Sequence, residues 1–474
     1  MLSTDWTLIV LAIFAVATLV LLVTRVKLNA FIALLVAALV VGMGAVIMGL
    51  NETKLDKEMT PPSWKVLGPL TALRLINGFQ EGLGATLGST AAIIGLGIML
   101  GKLLAESGGA EVLAKSFARF FGPERVGLCI MALALVVGLV TWFAVGLLLL
   151  LPILLTLTRE TKKPFLLLAI PLISVLSVMH GLMPPHPGPV AAIASLNANM
   201  GMVLVWGFVI GIPTAIIGGP IFARRAARLV EAQPPMMPEK SGSLPEGIRL
   251  PGFGITLFSI LLPVLLMLLS TVAELVLDKT SAVRGVLLFT GNATIALSVS
   301  VVFAMWSLGV SCGYKPAQLM KFTEDCVGGV GMTLLVVGGG GGFAKVLEIT
   351  GASKALGGAA AMAHLPPLLY GWLIAAFIRV ATGSATVSIT VAAGLLVPIV
   401  AQHPGVNVEL LIMAIGCGSL FLSHLNDGGF WIVKDCFGLT VSQTLRTWTV
   451  TETIIGICGL IITLIVNGVW EFFH

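Results

Sequence analysis

The stretch His180-Gly-Leu-Met-Pro-Pro-His-Pro-Gly-Pro189 interrupts an apolar segment, 164–196, that is otherwise long enough to cross a bilayer. Its four prolines lack backbone N–H groups and cannot continue a helix. The backbone groups that the interruption frees must be satisfied by protein or water, because lipid offers them no hydrogen bonds. The sequence therefore predicts a discontinuous membrane helix whose break lies inside the protein.

Composition places the rest of the chain in the membrane as well. Of 474 residues, 57% are hydrophobic and only 10% are charged, against about 25% charged residues in soluble proteins. We therefore expect an all-α polytopic membrane protein. The net charge of +5 comes from basic residues in short loops, which is the positive-inside pattern rather than a nucleic-acid site. The six cysteines show no metal-ligand or disulfide spacing and are interpreted as packing residues.

A second interruption, Ser423-His-Leu-Asn-Asp-Gly-Gly429, is related to the first by an internal repeat. Placing Phe79 over Phe322 without gaps also places His180 over Ser423, so the two breaks coincide. The same shift pairs Glu81 with Glu324, Gly88 with Gly331, Gly97 with Gly340 and Lys102 with Lys345. Each half is expected to hold five transmembrane helices and one re-entrant hairpin, and this odd number of crossings makes the two repeats inverted. Inverted repeats with paired broken helices are typical of alternating-access transporters.

The expected boundaries follow the apolar runs. The first inverted repeat is predicted at 1–222, with scaffold helices at 8–50, a crossing at 84–105, a hairpin at 126–158, a broken helix at 164–196 and a helix at 202–222. A cytoplasmic linker is predicted at 223–251. The second inverted repeat is predicted at 252–474, with scaffold helices at 253–310 (crossings near 253–277 and 285–310), a crossing at 327–348, a hairpin at 368–400, a broken helix at 409–436 and a helix at 450–469.

The two hairpin tips and the two helix breaks are expected to converge on one site. The new N-terminal end of a broken helix carries a partial positive charge and exposed N–H groups, which favour an anion. Hydroxyl and amide side chains beside it suit a carboxylate that also carries hydroxyls. The alternative is that the small residues only permit close helix packing. The candidate substrate-binding residues are Thr141, His180, Pro185, His186, Gly188, Thr382, Gly383, Ser384, Thr386, Asn426, Asp427 and Gly428.

Three of these residues are also candidates for proton coupling: His180, His186 and Asp427. An ionisable group at membrane depth is a functional candidate, and histidine titrates near neutral pH. The alternatives are that the histidines fill hydrogen bonds in a proline-rich break, and that Asp427 caps a half-helix. Arg379 either attracts the anion, or snorkels or pairs with an acid. No metal site or cofactor is expected, since no ligand spacing or phosphate-binding loop is present.

Five motifs resemble one known family. They are Gly84-Ala-Thr-Leu-Gly88, Gly95-Leu-Gly-Ile-Met-Leu-Gly-Lys102, His180–Pro189, Ala381-Thr-Gly-Ser-Ala-Thr-Val387 and Ser423-His-Leu-Asn-Asp-Gly-Gly-Phe-Trp431. The chain resembles the gluconate:proton symporter (GntP) family of the ion-transporter superfamily. The resemblance implies proton symport of a gluconate-like sugar-acid anion across the bacterial inner membrane. By superfamily analogy it also implies a homodimer with elevator-type scaffold and transport domains.

One departure from the family pattern concerns the first hairpin. The resemblance implies a glutamate where this chain reads Trp142-Phe-Ala-Val-Gly146, so the expected proton carrier is replaced by Ala144. Because alanine cannot titrate, coupling is expected to use another group. Two other functions stay open at this point. One is a sodium-coupled carboxylate carrier of the same fold, and the other is an intramembrane enzyme that uses the histidines.

Overall fold

The computed structural model describes residues 2–48, 64–232, 247–352, 355, 366–403, 405–425 and 427–473. Within these ranges the chain forms helices and no β-strand. Eleven helical segments in the same ranges are long and apolar enough to cross a membrane. The expectation of an all-α polytopic membrane protein is therefore confirmed.

The first ten helices run to the start of the predicted linker. They are α1 Leu2–Thr24, α2 Ala30–Ile47, α3 Trp64–Glu106, α4 Gly109–Phe121, α5 Val126–Gly138, α6 Phe143–Thr161, α7 Phe165–Leu182, α8 Pro187–Leu196, α9 Met200–Ile216 and α10 Phe222–Leu229. A π-helical turn, Ile217–Ile221, joins α9 to α10 without a break. The expected linker at 223–251 therefore begins as helix, and its residues 233–246 lie outside the described ranges.

Ten further helices lie in the described ranges after residue 247. They are α11 Phe253–Val276, α12 Ala282–Gly291, α13 Ala293–Ala304, α14 Pro316–Ile349, α15 Pro367–Thr382, α16 Ala385–Gln402, α17 Val408–Leu420, α18 Gly428–Cys436, α19 Val441–Thr444 and α20 Val450–Phe473. π-Helical turns extend α13 at Met305–Gly309 and connect α19 to α20 at Leu445–Thr449.

The structure corrects the expected crossing at 285–310. Asn292 ends α12 and caps α13, because its side-chain oxygen accepts a hydrogen bond from the Thr294 N–H at 3.1 Å. The 10-residue α12 is too short to cross a bilayer. The span-length run is instead Ala293–Cys312. A helix boundary predicted only from the length of an apolar run does not take account of an asparagine N-cap within that run.

Close packing of two long helices, α3 and α14, depends on glycine. Both are longer than the crossings expected at 84–105 and 327–348, with 43 and 34 residues. Gly82 of α3 lies against the α14 backbone, and a Cβ added there would lie 2.6 Å from Lys345 Cβ. Across the same contact Lys345 Nζ lies 3.6 Å from Glu81 Oε1. Small residues let the two backbones approach, as in other membrane helix pairs.

The centre of the molecule is formed by α7, α8 and α17. The segment Phe165–Leu196, which holds α7 and α8, is buried over 89% of its most apolar stretch, and the polar Ser174 and Ser177 of α7 are buried with it. α7 contacts α17 through Gly416, where a Cβ would lie 2.6 Å from the Gly181 carbonyl oxygen. This contact brings the C-terminal ends of two interrupted helices together.

Candidate functional site

The first break separates α7 from α8 at residues 183–186. Pro187 stands in the first turn of α8, where a missing N–H costs no helical hydrogen bond. The buried His186 Nε2–H donates to the Gly138 carbonyl oxygen at 2.8 Å, at the last residue of α5. The ring centroids of His180 and His186 lie 5.3 Å apart. The break is thus tied to the end of α5, beside the first predicted hairpin tip.

The second break separates α17 from α18 at residues 421–427. Asp427 is the N-cap of α18, and its Oδ1 accepts from the Gly429 N–H at 2.8 Å. The Ser423 hydroxyl donates to Asp427 Oδ2. Ser423 is itself held by the Trp448 indole N–H at 2.7 Å and by the Thr449 hydroxyl, which donates to its carbonyl oxygen at 2.5 Å. The turn Leu445–Thr449 therefore fixes this break.

The second predicted tip lies between α15 and α16. Gly383 has φ +75°, a left-handed conformation that glycine adopts without strain. Ser384 caps α16, and its hydroxyl oxygen accepts from the Val387 N–H at 3.3 Å. Arg379, only 4% exposed, donates from Nη1 to the Gly383 carbonyl oxygen at 2.6 Å and from Nη2 to Asp427 Oδ2 at 2.5 Å. One guanidinium thus joins the tip to the second break.

The first predicted tip, residues 139–142, lies between α5 and α6. The buried Thr141 hydroxyl donates back to the Val137 carbonyl oxygen at 2.8 Å and ends α5 locally. Trp142 is the N-cap of α6, with extended backbone angles. Phe143 packs against Trp448, with ring centroids 4.9 Å apart. The start of α6 is thereby held beside the turn that fixes the second break.

These elements enclose one cavity of about 330 Å³. The N-cap residues of three helices, Trp142, Ser384 and Asp427, all lie in its wall. Its lining residues are Trp142, Phe143, Ala144, Ser177, His180, Arg379, Gly383, Ser384, Ala385, Thr386, Leu420, Asp427, Gly428, Gly429, Ile432, Trp448 and Glu452. Three helix N-termini converge on the cavity, which favours an anion there, whereas the Arg379 guanidinium is paired with Asp427.

Six predicted site residues line this cavity: His180, Gly383, Ser384, Thr386, Asp427 and Gly428. The other described candidates lie behind the wall or pack between helices. Thr141 and His186 hydrogen-bond to backbone as described above, and the Thr382 hydroxyl donates to the Ile378 carbonyl oxygen at 2.8 Å. Pro185 packs against Gly97 and Gly188 against Ile389. Asn426 lies outside the described residues.

Glu452 is a cavity residue that the sequence reading did not single out. It lies in the first turn of α20, is 1% exposed, and its Oε1 atom has no hydrogen-bond partner among the described residues. Ser177, Arg379 and Asp427 are its polar neighbours. The sequence feature that could have identified Glu452 is an acidic residue at the start of an apolar run. Glutamate is also common in the first turn of any helix, so this feature does not by itself indicate a site.

Comparison with known proteins agrees with this architecture. The family described as GntP family permease matches residues 6–469. A gluconate permease of Zymomonas mobilis is 40% identical over 96% of this chain and 97% of its own length, and a gluconate permease of Pseudomonas aeruginosa is 37% identical over 98% of both. The Gnt-II system L-idonate transporter of Escherichia coli is 37% identical over 96% of this chain and 98% of its own length.

Two solved structures share the fold. The Alcanivorax borkumensis YdaH transporter superposes with a TM-score of 0.64 at 15% identity, over 93% of this chain and 98% of its own. Neisseria gonorrhoeae MtrF superposes with a TM-score of 0.63 at 12% identity, over 94% of this chain and 96% of its own. Taken with the family match over residues 6–469, these findings show that the chain belongs to the GntP family of permeases and is a multi-pass protein of the bacterial inner membrane.

Proposed function

We propose that this chain is a proton-coupled symporter that imports gluconate, or a closely related sugar-acid anion, by alternating access. The observation that supports it best is the cavity in which Arg379 and the N-termini of α6, α16 and α18 converge. A carboxylate placed there would meet N–H donors and a guanidinium. The hydroxyls of Ser384 and Thr386 suit the hydroxyls of a sugar acid.

The relatives favour the same substrate class. Those from Zymomonas mobilis and Pseudomonas aeruginosa are named gluconate permeases, and that from Escherichia coli an L-idonate transporter. Gluconate and idonate are both aldonates, with one carboxylate and a chain of hydroxyls. A cavity that offers one cationic group and several neutral donors fits that common chemistry.

The proposed transport cycle uses two inverted repeats in a homodimer. In this proposal the helices within 8–50 and 253–310 form the fixed scaffold, and α5–α8 with α15–α18 move together as the transport domain. The hydrogen bonds from Arg379 to Gly383 and Asp427, and from His186 to Gly138, favour joint movement because they join tips and breaks into one body. Engineered cysteine pairs, with one cysteine in α5–α8 and one in the scaffold, would test this joint movement. We expect some pairs to cross-link only in the outward-facing state and others only in the inward-facing state.

Uptake of labelled gluconate into proteoliposomes tests the function itself. We expect accumulation when the outside is acidic, competition by idonate, and little competition by D-serine. Absence of uptake of any sugar acid would defeat the proposal. Replacing the pH gradient by a sodium gradient shows which ion drives uptake. Accumulation of gluconate only with a sodium gradient would favour a sodium-coupled carrier over a proton symporter.

The dependence of uptake on membrane potential gives the stoichiometry. One proton with a monoanion moves no net charge, so an imposed potential should have no effect on accumulation. A second proton would add about 2.3 kcal/mol for each 100 mV of potential. Setting the potential with potassium and valinomycin at fixed pH distinguishes the two cases.

A further inference from the structure

Glu452 differs from Asp427, the other acid in the cavity, because Ser177 is its hydrogen-bond partner and its Oε1 atom has none among the described residues. Asp427 accepts hydrogen bonds from Arg379, Ser423 and the Gly429 N–H, so its two oxygens are stabilised as a carboxylate. Glu452 is equally enclosed, yet its Oε1 atom accepts no hydrogen bond from the described residues. Burying an ionised carboxylate that has few donors and no direct cation costs much more free energy than burying the neutral acid.

The charge balance of the cavity points the same way. Arg379 forms a direct ion pair with Asp427, so these two charges compensate each other. Among the described residues, no other lysine or arginine lines the cavity. With Glu452 ionised, the wall therefore carries one uncompensated negative charge, which repels an incoming carboxylate. With Glu452 protonated, the wall carries no uncompensated charge, and the helix N-termini favour the anion.

The helices packed around α20 offer no second cation to Glu452. Among the described titratable and charged groups, α7 presents His180, α15 presents Arg379, and the segment before α18 presents Asp427 to the same cavity. α17 presents Cys417 to α20 at Gly459, two turns beyond Glu452. Arg446, in the turn before α20, is exposed.

We infer that Glu452 carries the coupled proton, so that the anion binds tightly only when Oε1 or Oε2 has taken up H⁺ from the outer aqueous phase. This inference rests on the proposed symport. The proton and the anion enter together and leave together on the cytoplasmic side, where loss of the anion allows Glu452 to ionise again. The chain reads Ala144 where the family resemblance implies a glutamate, and Ala144 and Glu452 line the same cavity. The coupling carboxyl has then moved from the first hairpin to the last helix.

Proton uptake on binding provides the test. Gluconate is titrated into the purified full-length protein by calorimetry in two buffers of different ionisation enthalpy, across a pH series. The native protein should take up close to one proton per gluconate at the alkaline end, with affinity falling by up to about tenfold per pH unit. Glu452→Gln resembles the protonated acid, so it should bind gluconate with no proton uptake and no pH dependence over that range.

Transport assays on Glu452→Gln distinguish loss of proton coupling from loss of the conformational change that carries the substrate across the membrane. Glu452→Gln should still exchange labelled for unlabelled gluconate, while accumulation driven by a pH gradient falls to the level seen without a gradient. Glu471→Gln, on the exposed end of the same helix, is the matched control and should behave as the native protein. Unchanged proton uptake in Glu452→Gln would overturn the inference, and so would a folded variant that no longer binds.

The outcomes also separate the inference from the proposed function. If the native protein itself neither binds nor transports sugar acids, the proposed function fails. If the native protein transports with protons and Glu452→Gln does so equally, only the assignment of Glu452 fails. If Glu452→Gln does not fold, two other variants replace it. Glu452→Asp keeps a carboxyl and should keep proton uptake, whereas Glu452→Ala should lose it. Equal proton uptake in both variants would overturn the inference.

Discussion

Arg379 Nη2 lies 2.5 Å from Asp427 Oδ2, and this ion pair joins the α15–α16 tip to the break before α18. The side chains are 4% and 11% exposed. A pair this buried owes little to net attraction, because desolvation offsets the Coulomb energy. Its role is geometric, since it fixes two chain segments 48 residues apart at one wall of the cavity.

Removing one partner should be far more costly than the pair's own net contribution. Asp427→Ala leaves a buried guanidinium without its counter-charge, and we expect a loss of about 3–5 kcal/mol in the free energy of unfolding. Lys115→Gln breaks the exposed Lys115–Glu111 pair and should change stability by less than about 1 kcal/mol. Unfolding in detergent, followed by tryptophan fluorescence, compares the two. Equal effects would contradict the geometric role.

The Ser384 cap should affect both stability and substrate binding. Ser384→Ala removes the acceptor for the Val387 N–H at the start of α16 and should cost about 0.5–2 kcal/mol. Because Ser384 also lines the cavity, gluconate affinity should fall as well. Ser281→Ala removes the equivalent cap of α12, away from the site, and should lower stability without changing affinity. Thermal melting with and without gluconate measures both effects.

The two histidines of the first break should have separable roles. His180 lines the cavity, so His180→Ala should weaken gluconate binding with little loss of stability. His186→Ala leaves the buried Gly138 carbonyl oxygen without its donor, and we expect about 1–3 kcal/mol of destabilisation. Binding by the fraction of His186→Ala that remains folded should be close to native. The reverse pattern would place His186 in direct contact with the substrate.

Close contact between α7 and α17 should not tolerate a methyl group. Gly416→Ala forces a Cβ to 2.6 Å from the Gly181 carbonyl oxygen, so the helices must separate and the two breaks must shift. We expect a lower melting temperature and loss of transport. Gly88→Ala is the matched control, because a Cβ at Gly88 meets nothing within 4 Å. Native-like transport by Gly416→Ala would show that the contact is dispensable.

Restoring a carboxyl at position 144 tests where coupling resides. Ala144→Glu combined with Glu452→Gln moves the acid that has no ion-pair partner to another residue that lines the cavity. We expect this double variant to regain pH-driven accumulation that Glu452→Gln alone has lost. Ala144→Glu in the native background adds a second acid and should weaken gluconate binding at alkaline pH. Transport in proteoliposomes at two pH values measures both.

The helix interruptions were predictable because their causes are local. Four prolines cluster in 184–189 and two glycines follow Asp427, and the structure interrupts the chain at 183–186 and 421–427, with Pro187 and Gly428 as the first residues of the helices that follow. Gly383 and Ser384 mark the second tip for the same reason. The inverted-repeat arrangement inferred from Phe79 and Phe322 stays a prediction.

Side-chain direction was not predictable in the same way. Pro185, His186 and Thr382 lie within a few residues of the cavity, yet Pro185 and His186 contact neighbouring helices, and the Thr382 hydroxyl donates to the backbone of its own helix. Glu452 is distant in sequence from every interruption and joins the cavity only because α20 packs against α7 and α17. Such contacts depend on tertiary packing, which neither periodicity nor residue spacing contains.

The segment that holds Ser423 in place has a bearing on how the protein is made. Trp448 and Thr449 anchor the second break, Trp448 packs against Phe143 with tilted rings, and Glu452 follows one turn later. The earlier helices leave the ribosome before any of these side chains exist. A nascent chain that ends before α20 therefore lacks one wall of the cavity and the side chains that hold the second break.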